Sequence, residues 1–241
     1  PRGNRMKRYL PFIIIVLVAI GAVTSGAILY RAKVAELTPV AKDRKVAETQ
    51  MESEGAHVRG SATAPVTLEE FGDFQCPPCG SLAGVLLRIE SDFGAQLRVV
   101  FRNFPLAVHN HAAEAARAAE AAGLQGKFWE MHDLLFRNQA LWSKDPDAKL
   151  SFMNYAEEIG INLERFERDY DGDEPRARIS TDQARGTALG VTSTPTLFIN
   201  NQPLPPASMN EPALRAAISA AARGESSAPS PTPAPIATPT L

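Results

Sequence analysis

The sequence predicts an α/β fold of the order β-α-β, helical insertion, β-β-α, preceded by a transmembrane helix. Three observations predict this order. An apolar run at residues 66–74 leads directly into the motif Cys76-Pro77-Pro78-Cys79, which holds the only two cysteines of the chain. Helix-like stretches follow in succession, and a second strand opens at Thr194-Pro195, more than a hundred residues after the motif. The strand-to-helix junction at the cysteines is therefore the centre of the prediction.

The first unit consists of two strands and one helix. Residues 66–71 predict a strand that enters the cysteine motif. Residues 97–104 predict a second strand that ends at Pro105. Between them, residues 80–93 carry the apolar spacing of an amphipathic helix. The cysteines thus lie at the first turn of a β-α-β unit.

The chain from about residue 107 to about residue 190 has helical periodicity instead. Gly, Asn, Asp or Pro separates its helix-like stretches. These stretches are residues 109–122, 128–137, 148–159, 163–169 and 176–189. After this insertion the sequence predicts a strand at 196–199, a turn at 200–203 and a closing helix at 211–223.

Composition excludes several classes of function. Of the 241 residues, 44% are hydrophobic and 22% are charged, which suits one good core or a core with an inserted subdomain. Residues 46–223 carry 24 acidic and 16 basic side chains, so a nucleic-acid partner is not expected. The sequence contains no internal repeat, no Gly-rich phosphate loop and no G-x-S-x-G elbow. The chemistry is therefore assigned to the thiols, without a cofactor or a metal.

Both ends are predicted to lie outside the folded core. Residues 9–30 contain no charged side chain, and a helix of that length can cross a bilayer core of about 30 Å. The basic residues within 1–8 favour a cytoplasmic N-terminus. Residues 31–56 are polar and predict a stalk, whereas residues 224–241 are rich in Pro, Ser, Thr and Ala and predict disorder. The domain at 57–223 is then extracytoplasmic.

A cleaved signal peptide is the alternative to a retained anchor. Ser25-Gly26-Ala27 offers small residues at a plausible cleavage spacing. Basic residues also follow the span, so the charges alone do not determine its orientation, and the redox chemistry of the cysteines has to support it. We favour the anchor because the apolar run is longer than the usual signal-peptide core of about 7–15 residues. Either reading takes the domain out of the cytoplasm.

The position of the two cysteines suits thiol–disulfide exchange. A thiolate at the first turn of a helix faces free N–H donors and the positive end of the helix dipole, so Cys76 is predicted to be the attacking thiol. Cys79 lies one turn further in and is predicted to resolve mixed disulfides by pairing with Cys76. Pro77 and Pro78 occupy early helix positions and stiffen the turn.

Two structural alternatives compete with this interpretation. Cys76 and Cys79 could form an inert disulfide, although a bridge that closes so short a loop stabilises little. They could instead supply half of a zinc site, but zinc takes about four ligands, and only His109 and His111 on another segment are candidates. We interpret those two histidines, and also His132 and Trp142, as structural residues.

Several stretches resemble the DsbA-like branch of the thioredoxin superfamily, in particular its membrane-anchored bacterial members. The resemblance covers residues 57–223. It is carried by Glu-Phe-Gly-Asp-Phe-Gln-Cys-Pro-Pro-Cys at 70–79, Arg-Asn-Phe-Pro-Leu at 102–106 with His109, Lys-Phe-Trp-Glu-Met-His-Asp at 127–133 and Gly-Val-Thr-Ser-Thr-Pro-Thr at 190–196.

The resemblance implies a thioredoxin-like fold and further site residues. It implies a cis bond between Thr194 and Pro195 that exposes the backbone of Thr194 to an extended client, whereas trans is the default for an ordinary X-Pro bond. It also implies an acidic residue at Glu70. Strand alternation places Glu70 on the face of Leu68, where a buried carboxylate could relay a proton from Cys79. The alternative is that Glu70 is solvated like Glu69, and we interpret Asp73 as a turn residue.

These inferences favour a membrane-tethered thiol oxidase on the periplasmic side of the bacterial cytoplasmic membrane. It would pass disulfides to secreted clients that contain cysteines and be reoxidised by a membrane redox partner, such as a quinone-linked oxidase. A reductase or isomerase for cytochrome maturation or disulfide repair, served by a thiol reductase, is the close alternative. The dipeptide between the cysteines supports this alternative. Members of the branch with Pro-His there are strong oxidants, whereas Pro77-Pro78 has no imidazole. A redox-inert, chaperone-like binding module is the more distant alternative, and we expect a monomeric catalytic domain.

Overall fold

The computed structural model describes residues 55–225. The predicted anchor at 9–30, nearly all of the stalk at 31–56 and most of the tail at 224–241 lie outside the described residues. No helix within residues 55–225 is both long and apolar enough to cross a membrane. The predicted order β-α-β, helical insertion, β-β-α is confirmed, with one additional strand in front.

A five-stranded mixed sheet forms the centre of the domain. Its strands are β1 (His57–Gly60), β2 (Val66–Gly72), β3 (Leu97–Asn103), β4 (Thr196–Ile199) and β5 (Gln202–Pro203), and their spatial order is β1-β3-β2-β4-β5. β2 and β3 are parallel, while β1, β4 and β5 each pair antiparallel with their neighbour. The strand that leads to the cysteines therefore lies in the middle of the sheet.

Helix α1 (Pro77–Phe93) connects β2 to β3 and starts three residues before the predicted residue 80. The earlier start has a physical reason. The first N–H groups of a helix have no acceptor within the helix, so Pro77 and Pro78, which lack an N–H, fit its first two positions. Cys76 is the N-cap residue of this helix. The cysteine motif is thus the first turn of α1 itself.

The insertion consists of six helices in residues 112–188. They are α2 (Ala112–Gly123), α3 (Phe128–Arg137), α4 (Gln139–Trp142), α5 (Ala148–Glu158), α6 (Leu163–Asp171) and α7 (Asp173–Ala188). The sequence did not predict α4, which is a single turn and too short to show periodicity. The predicted helix at 109–122 begins only at Ala112, because residues before it form turns against the cysteine loop.

The chain closes with a β-hairpin and helix α8 (Glu211–Ala222). Asn200 and Asn201 connect β4 to β5 with φ angles of 47° and 66°, a left-handed conformation that asparagine tolerates better than most residues. The predicted turn and closing helix are therefore present.

Apolar residues on the two faces of the sheet pack against different helices. Leu68 of β2 belongs to a buried cluster with side chains of α1 and α8, namely Leu82, Leu86, Ile89, Leu214 and Ile218. Phe71 points to the opposite face, where it packs with Phe104, Val191 and Phe198. A third cluster fills the insertion and also includes Phe74, Cys76, Cys79 and Phe101. The cysteines therefore lie where the core of the insertion meets the sheet.

Candidate active site

The cysteine turn is held by backbone hydrogen bonds on both sides. The Cys76 amide donates to the carbonyl oxygen of Asp73 (3.1 Å), and the Gly80 amide donates to the carbonyl oxygen of Cys76 (3.1 Å). Both cysteines are free thiols in this structure. Cys76 is 4% exposed and Cys79 is fully buried. Cys76 is thus the more accessible of the two residues, as an attacking cysteine requires.

The two thiols differ strongly in acidity. A hydrogen bond from the Cys79 thiol lowers the pKa of Cys76 to about 6; burial opposes this shift, and a hydrogen bond from the Thr194 side chain supports it. The same bond to Cys76, together with burial and the nearby charge of Glu70, raises the pKa of Cys79 far above its ordinary value. Near neutral pH Cys76 is therefore largely a thiolate, and Cys79 is a protonated donor to it.

Thr194 faces Cys76 from the segment that precedes β4. The Sγ atom of Cys76 lies 3.3 Å from the carbonyl oxygen of Thr194, to which the neutral thiol can donate. The Thr194 hydroxyl is buried, and no other group of the described residues binds it, so it is the donor that favours the Cys76 thiolate once the thiol ionises. The bond between Thr194 and Pro195 is cis, as the resemblance implied. The main chain of Thr194 thus lies beside the sulfur that would attack a client.

Glu70 is buried beneath the cysteines. It is 2% exposed, and its Oε1 has no hydrogen-bond partner in the described structure. Burial raises the pKa of Glu70 to about 8, and the charges of Glu90 and Cys76 act in the same direction. The alternative that Glu70 is solvated is therefore wrong.

Glu69, its neighbour, is also buried but has a different environment. It points to the other face of β2, where its carboxylate accepts hydrogen bonds from Arg102 (3.0 Å) and Arg185 (2.8 and 2.9 Å). Glu69 is therefore a buried ion-pair residue, whereas Glu70 is buried with an oxygen that has no partner.

Asp73 anchors the turn, as predicted for a turn residue. Its Oδ1 accepts a hydrogen bond from the Gln75 amide (2.8 Å), while its Oδ2 accepts from the Leu106 amide (2.9 Å) and is bonded to Nδ1 of His109 (2.7 Å). His109 thereby fastens the loop after β3 to the cysteine turn. This contact suits the structural interpretation of His109.

Two glutamines bind the cysteine turn to the insertion. Nε2 of Gln139 donates to the carbonyl oxygens of Phe74 (2.7 Å) and Cys76 (2.8 Å). Gln75 accepts from the His111 amide through Oε1 (2.6 Å) and donates to the carbonyl oxygen of Ser143 through Nε2 (3.2 Å). Sequence reasoning missed both residues, because no local pattern indicates that a helix more than sixty residues away returns to the turn.

His132 and Trp142 lie within the packed interior. His132 is buried among aromatic rings, and burial lowers its pKa although Nδ1 is bonded to Asp133 (2.8 Å). Trp142 donates from Nε1 to the carbonyl oxygen of Leu135 (2.7 Å). Within residues 55–225, no group of three or more His, Cys, Asp or Glu side chains could hold a metal ion. Pro77 and Pro78 are exposed beside Cys76.

Comparisons with known proteins agree with the thioredoxin-like fold. A family model described as thioredoxin matches residues 52–220. The oxidised form of BdbD from Bacillus subtilis has a similar structure, with a TM-score of 0.64 and 23% identity over 71% of this chain and 95% of BdbD. A thioredoxin-like oxidoreductase from Silicibacter pomeroyi matches with a TM-score of 0.56 and 28% identity over 66% of this chain and 87% of that protein. Solved DsbA proteins are also among the matches.

Curated relatives have a different kind of name. A protein of Mycolicibacterium gilvum named Na(+)/H(+) antiporter NhaA 1 is 40% identical over 156 residues, which are 63% of this chain and 24% of that protein. The chain therefore spans about a quarter of the length of the curated relatives that it matches. The similarity concerns a part of those proteins only.

Proposed function

Because the chain belongs to the thioredoxin family and has the fold of its DsbA-like members, we propose that it is a thiol–disulfide oxidoreductase that forms disulfides in secreted or periplasmic proteins. The observation that carries this proposal is the asymmetry of the two thiols. The pKa of Cys76 is lowered to about 6, while that of the adjacent Cys79 is raised. A thiolate at the more accessible cysteine, beside a fully buried and protonated thiol, is what an exchange reaction through a mixed disulfide requires.

The proposed reaction starts from the disulfide form of the pair. A client thiolate attacks Sγ of Cys76, the bond between Cys76 and Cys79 breaks, and a mixed disulfide between client and Cys76 forms. Cys79 leaves as a thiolate and takes up one proton. A second client thiolate then attacks the client sulfur and expels Cys76 as a thiolate. The client loses two electrons and gains a disulfide, and the cysteine pair gains the two electrons.

Glu70 is the proposed proton donor to Cys79. With a pKa of about 8 it is mostly protonated near neutral pH, and the charge of its ionised form raises the pKa of Cys79. Proton transfer from Glu70 would neutralise the buried Cys79 thiolate as it forms, and the reverse transfer would operate when Cys79 attacks. Thr194 is the proposed main-chain contact for the client, with Pro195, Pro77 and Pro78 forming the surface around Cys76.

The acidity of Cys76 supports an oxidase. A stabilised thiolate favours the dithiol form and makes the disulfide a stronger oxidant. A pKa of about 6 for Cys76 lies below the value of about 7 in thioredoxin and above the value of about 3.5 in DsbA. The reductase or isomerase reading stays the second candidate, since Pro77-Pro78 provides no imidazolium to stabilise the thiolate further.

The reduction potential decides between these directions. The full chain is equilibrated with glutathione buffers, and its two redox forms are quantified. A potential near about −120 mV supports the oxidase, whereas one near about −270 mV supports the reductase and overturns our choice. Cys76→Ala serves as the control for the redox-inert binding module. We expect this variant to lose thiol exchange but keep client binding, and unchanged activity would contradict a catalytic role.

We also propose that the domain works at the periplasmic face of the cytoplasmic membrane as a monomer, tethered by residues 9–30. The charge-free length of that segment supports this, as does the name of relatives that contain a similar part, since an Na(+)/H(+) antiporter is a membrane protein. A membrane partner, either a quinone-linked oxidase or a thiol reductase, would exchange two electrons with the cysteine pair. Extraction of bacterial membranes with alkaline carbonate tests the anchor, because an anchored chain stays in the pellet.

A further inference from the structure

We propose that Gln139 is a positioning residue for thiol–disulfide exchange: it clamps the cysteine turn to the helical insertion and so sets the reactivity of Cys76. This inference rests on the proposed function. One side-chain amide makes both contacts, with Nε2 donating to the carbonyl oxygens of Phe74 (2.7 Å) and Cys76 (2.8 Å). These two carbonyls stand on either side of Gln75, at the point where β2 passes into α1.

Gly80 has no side chain, and the amide group of Gln139 occupies the space that a Cβ atom at this position would need. A Cβ atom on Gly80 would lie 2.6 Å from Oε1, 3.0 Å from Cδ and 3.1 Å from Nε2 of Gln139. Gly80 is not among the described residues with positive φ, so its backbone conformation does not require glycine. Glycine within a helix is also less favourable than alanine. The close approach of Gln139 is therefore the physical reason for a glycine next to Cys79.

The other end of the clamp is fixed in the core of the insertion. Gln139 is the first residue of α4, and Trp142 at the end of this helix is fully buried. Trp142 donates to the carbonyl oxygen of Leu135 (2.7 Å) and packs edge-on against Phe152. Directly after α4, the carbonyl oxygen of Ser143 accepts a hydrogen bond from Gln75 (3.2 Å). Three hydrogen bonds thus join the cysteine turn to α4 and the residue after it, and this helix cannot move without disturbing the core.

The clamp matters for the thiol because Cys76 is held between two segments. Gln139 holds its carbonyl group from the insertion, and Thr194 lies 3.3 Å from its sulfur on the other side. Without Gln139, the buried Phe74 carbonyl loses a donor and the turn is free to move away from Thr194. Cys76 would then lose part of the surroundings that favour its thiolate.

Gln139→Glu tests the clamp with almost no change in size. A carboxylate cannot donate, so it repels the two carbonyl oxygens that the amide binds. The readout is the alkylation rate of Cys76 by iodoacetamide in the reduced full chain, measured across pH. We expect the midpoint of this profile to rise by about one pH unit, which lowers the thiolate fraction below the midpoint about tenfold. Circular dichroism checks that the variant is folded.

Gln125 offers a matched control. It also bridges two segments through its amide, donating from Nε2 to the carbonyl oxygen of Asn162 (3.1 Å) and accepting from the Asn162 amide through Oε1 (3.0 Å). Within residues 55–225, none of its side-chain hydrogen bonds goes to the cysteine turn. Gln125→Glu should leave the alkylation profile unchanged. An equal shift in both variants would mean that any weakened bridge has this effect, and would overturn a specific role of Gln139.

Gly80→Ala disturbs the same contact by changing the residue against which the Gln139 amide packs. It also provides a test if Gln139→Glu fails to fold. The added methyl group displaces the Gln139 amide, so the profile should shift in the same direction. In a Gln139→Ala background the methyl group finds space, and we expect it to add little further shift. Independent, additive shifts from the two positions would contradict the clamp.

The outcomes separate this inference from the proposed function. If the wild-type chain shows neither an acidic alkylation midpoint nor exchange with a disulfide substrate, the proposed function fails. If the wild-type chain exchanges disulfides while the folded Gln139→Glu and Gly80→Ala variants match it in rate and midpoint, only the clamp is overturned.

Discussion

Glu70 and Glu69 are adjacent, and both are buried, but their physical situations are opposite. Glu69 is neutralised by hydrogen bonds from Arg102 and Arg185, whereas one oxygen of Glu70 has no partner in the described structure. Burial raises the pKa of Glu70 to about 8, while a glutamate in an unfolded chain titrates near about 4.3. The native state therefore binds this proton more tightly than the unfolded state does.

That difference predicts a pH-dependent stability. The contribution of Glu70 is fully present below the unfolded pKa and is lost as the pH rises through the folded pKa of about 8. Glu70→Gln removes the titration, so it should raise the free energy of unfolding at about pH 8, by on the order of 2 kcal/mol, and change it little at about pH 4. Urea unfolding of the disulfide form, in which the thiols do not titrate, measures both values.

Glu69→Gln is the matched control. It leaves Arg102, which is 2% exposed, without one of its two carboxylate partners, so we expect a loss of stability at both pH values. A Glu70→Gln variant that behaved like Glu69→Gln would show that Glu70 is ionised in the native state. It would also remove the basis for its role as a proton donor.

At the scale of secondary structure, helix α2 shows why small residues dominate part of the insertion. Ala115, Ala116, Ala118 and Ala119 are all buried within its core. Ala119→Leu adds three carbon atoms where there is no exposed surface, so we expect it to destabilise the domain by about 1–3 kcal/mol. Ala113→Leu, on the exposed face of the same helix, is the control and should change stability by less than about 0.5 kcal/mol. Equal effects in urea unfolding would contradict the packing argument.

Most elements could be predicted because their apolar pattern repeats over more than one helical turn or along a whole strand. The strand at β2 and the helix at α3 are examples, and the bounds of α3 agree with the prediction. Strand β1 (His57–Gly60) could not be predicted, since four residues with one large apolar side chain show no period. It exists because it pairs with β3 and because His57 stacks on Phe128 with ring centroids 3.4 Å apart.

The residues of the candidate site also fall into two groups, those that the sequence could predict and those that it could not. Cys76, Cys79 and the burial of Glu70 follow from local spacing, since a helix N-terminus and strand alternation determine them. Gln139 and Gln75 do not, because their partners lie on segments 36 to 68 residues away along the chain. Contacts of that kind depend on how the insertion packs and are invisible to periodicity.

At the scale of the whole domain, a buried ionic network joins the sheet to the insertion. Arg102 of β3 is bonded to Glu69 of β2 (3.0 Å) and to Asp182 of α7 (3.0 Å). Asp182 also accepts a hydrogen bond from the backbone amide of Asn103 (2.9 Å). The network therefore holds α7 against two central strands, on the face opposite Glu70.

Removal of Arg102 should be strongly destabilising, because it takes the guanidinium away from the buried Asp182 carboxylate and leaves the buried Glu69 with Arg185 alone. We expect Arg102→Met to lower the free energy of unfolding by about 3–5 kcal/mol. Arg88→Met is the control: its side chain is 58% exposed and bonded to Glu211 at the surface, so its loss should amount to less than about 1 kcal/mol. Thermal and urea unfolding of both variants make the comparison, and similar losses would show that the network contributes no more than a surface pair.

The surroundings of Cys76 come from distant parts of the polypeptide. Asp73 precedes the insertion, Gln139 lies inside it and Thr194 follows it, yet all three contact the cysteine residue. A ribosome that has not yet made β4 has therefore produced both cysteines but not the environment that distinguishes them. During synthesis the growing chain has the cysteine turn before it has the Thr194 contact. The full surroundings of Cys76 are therefore assembled only once the segment that leads into β4 is complete and in place, so the acidity of this thiol depends on the finished fold.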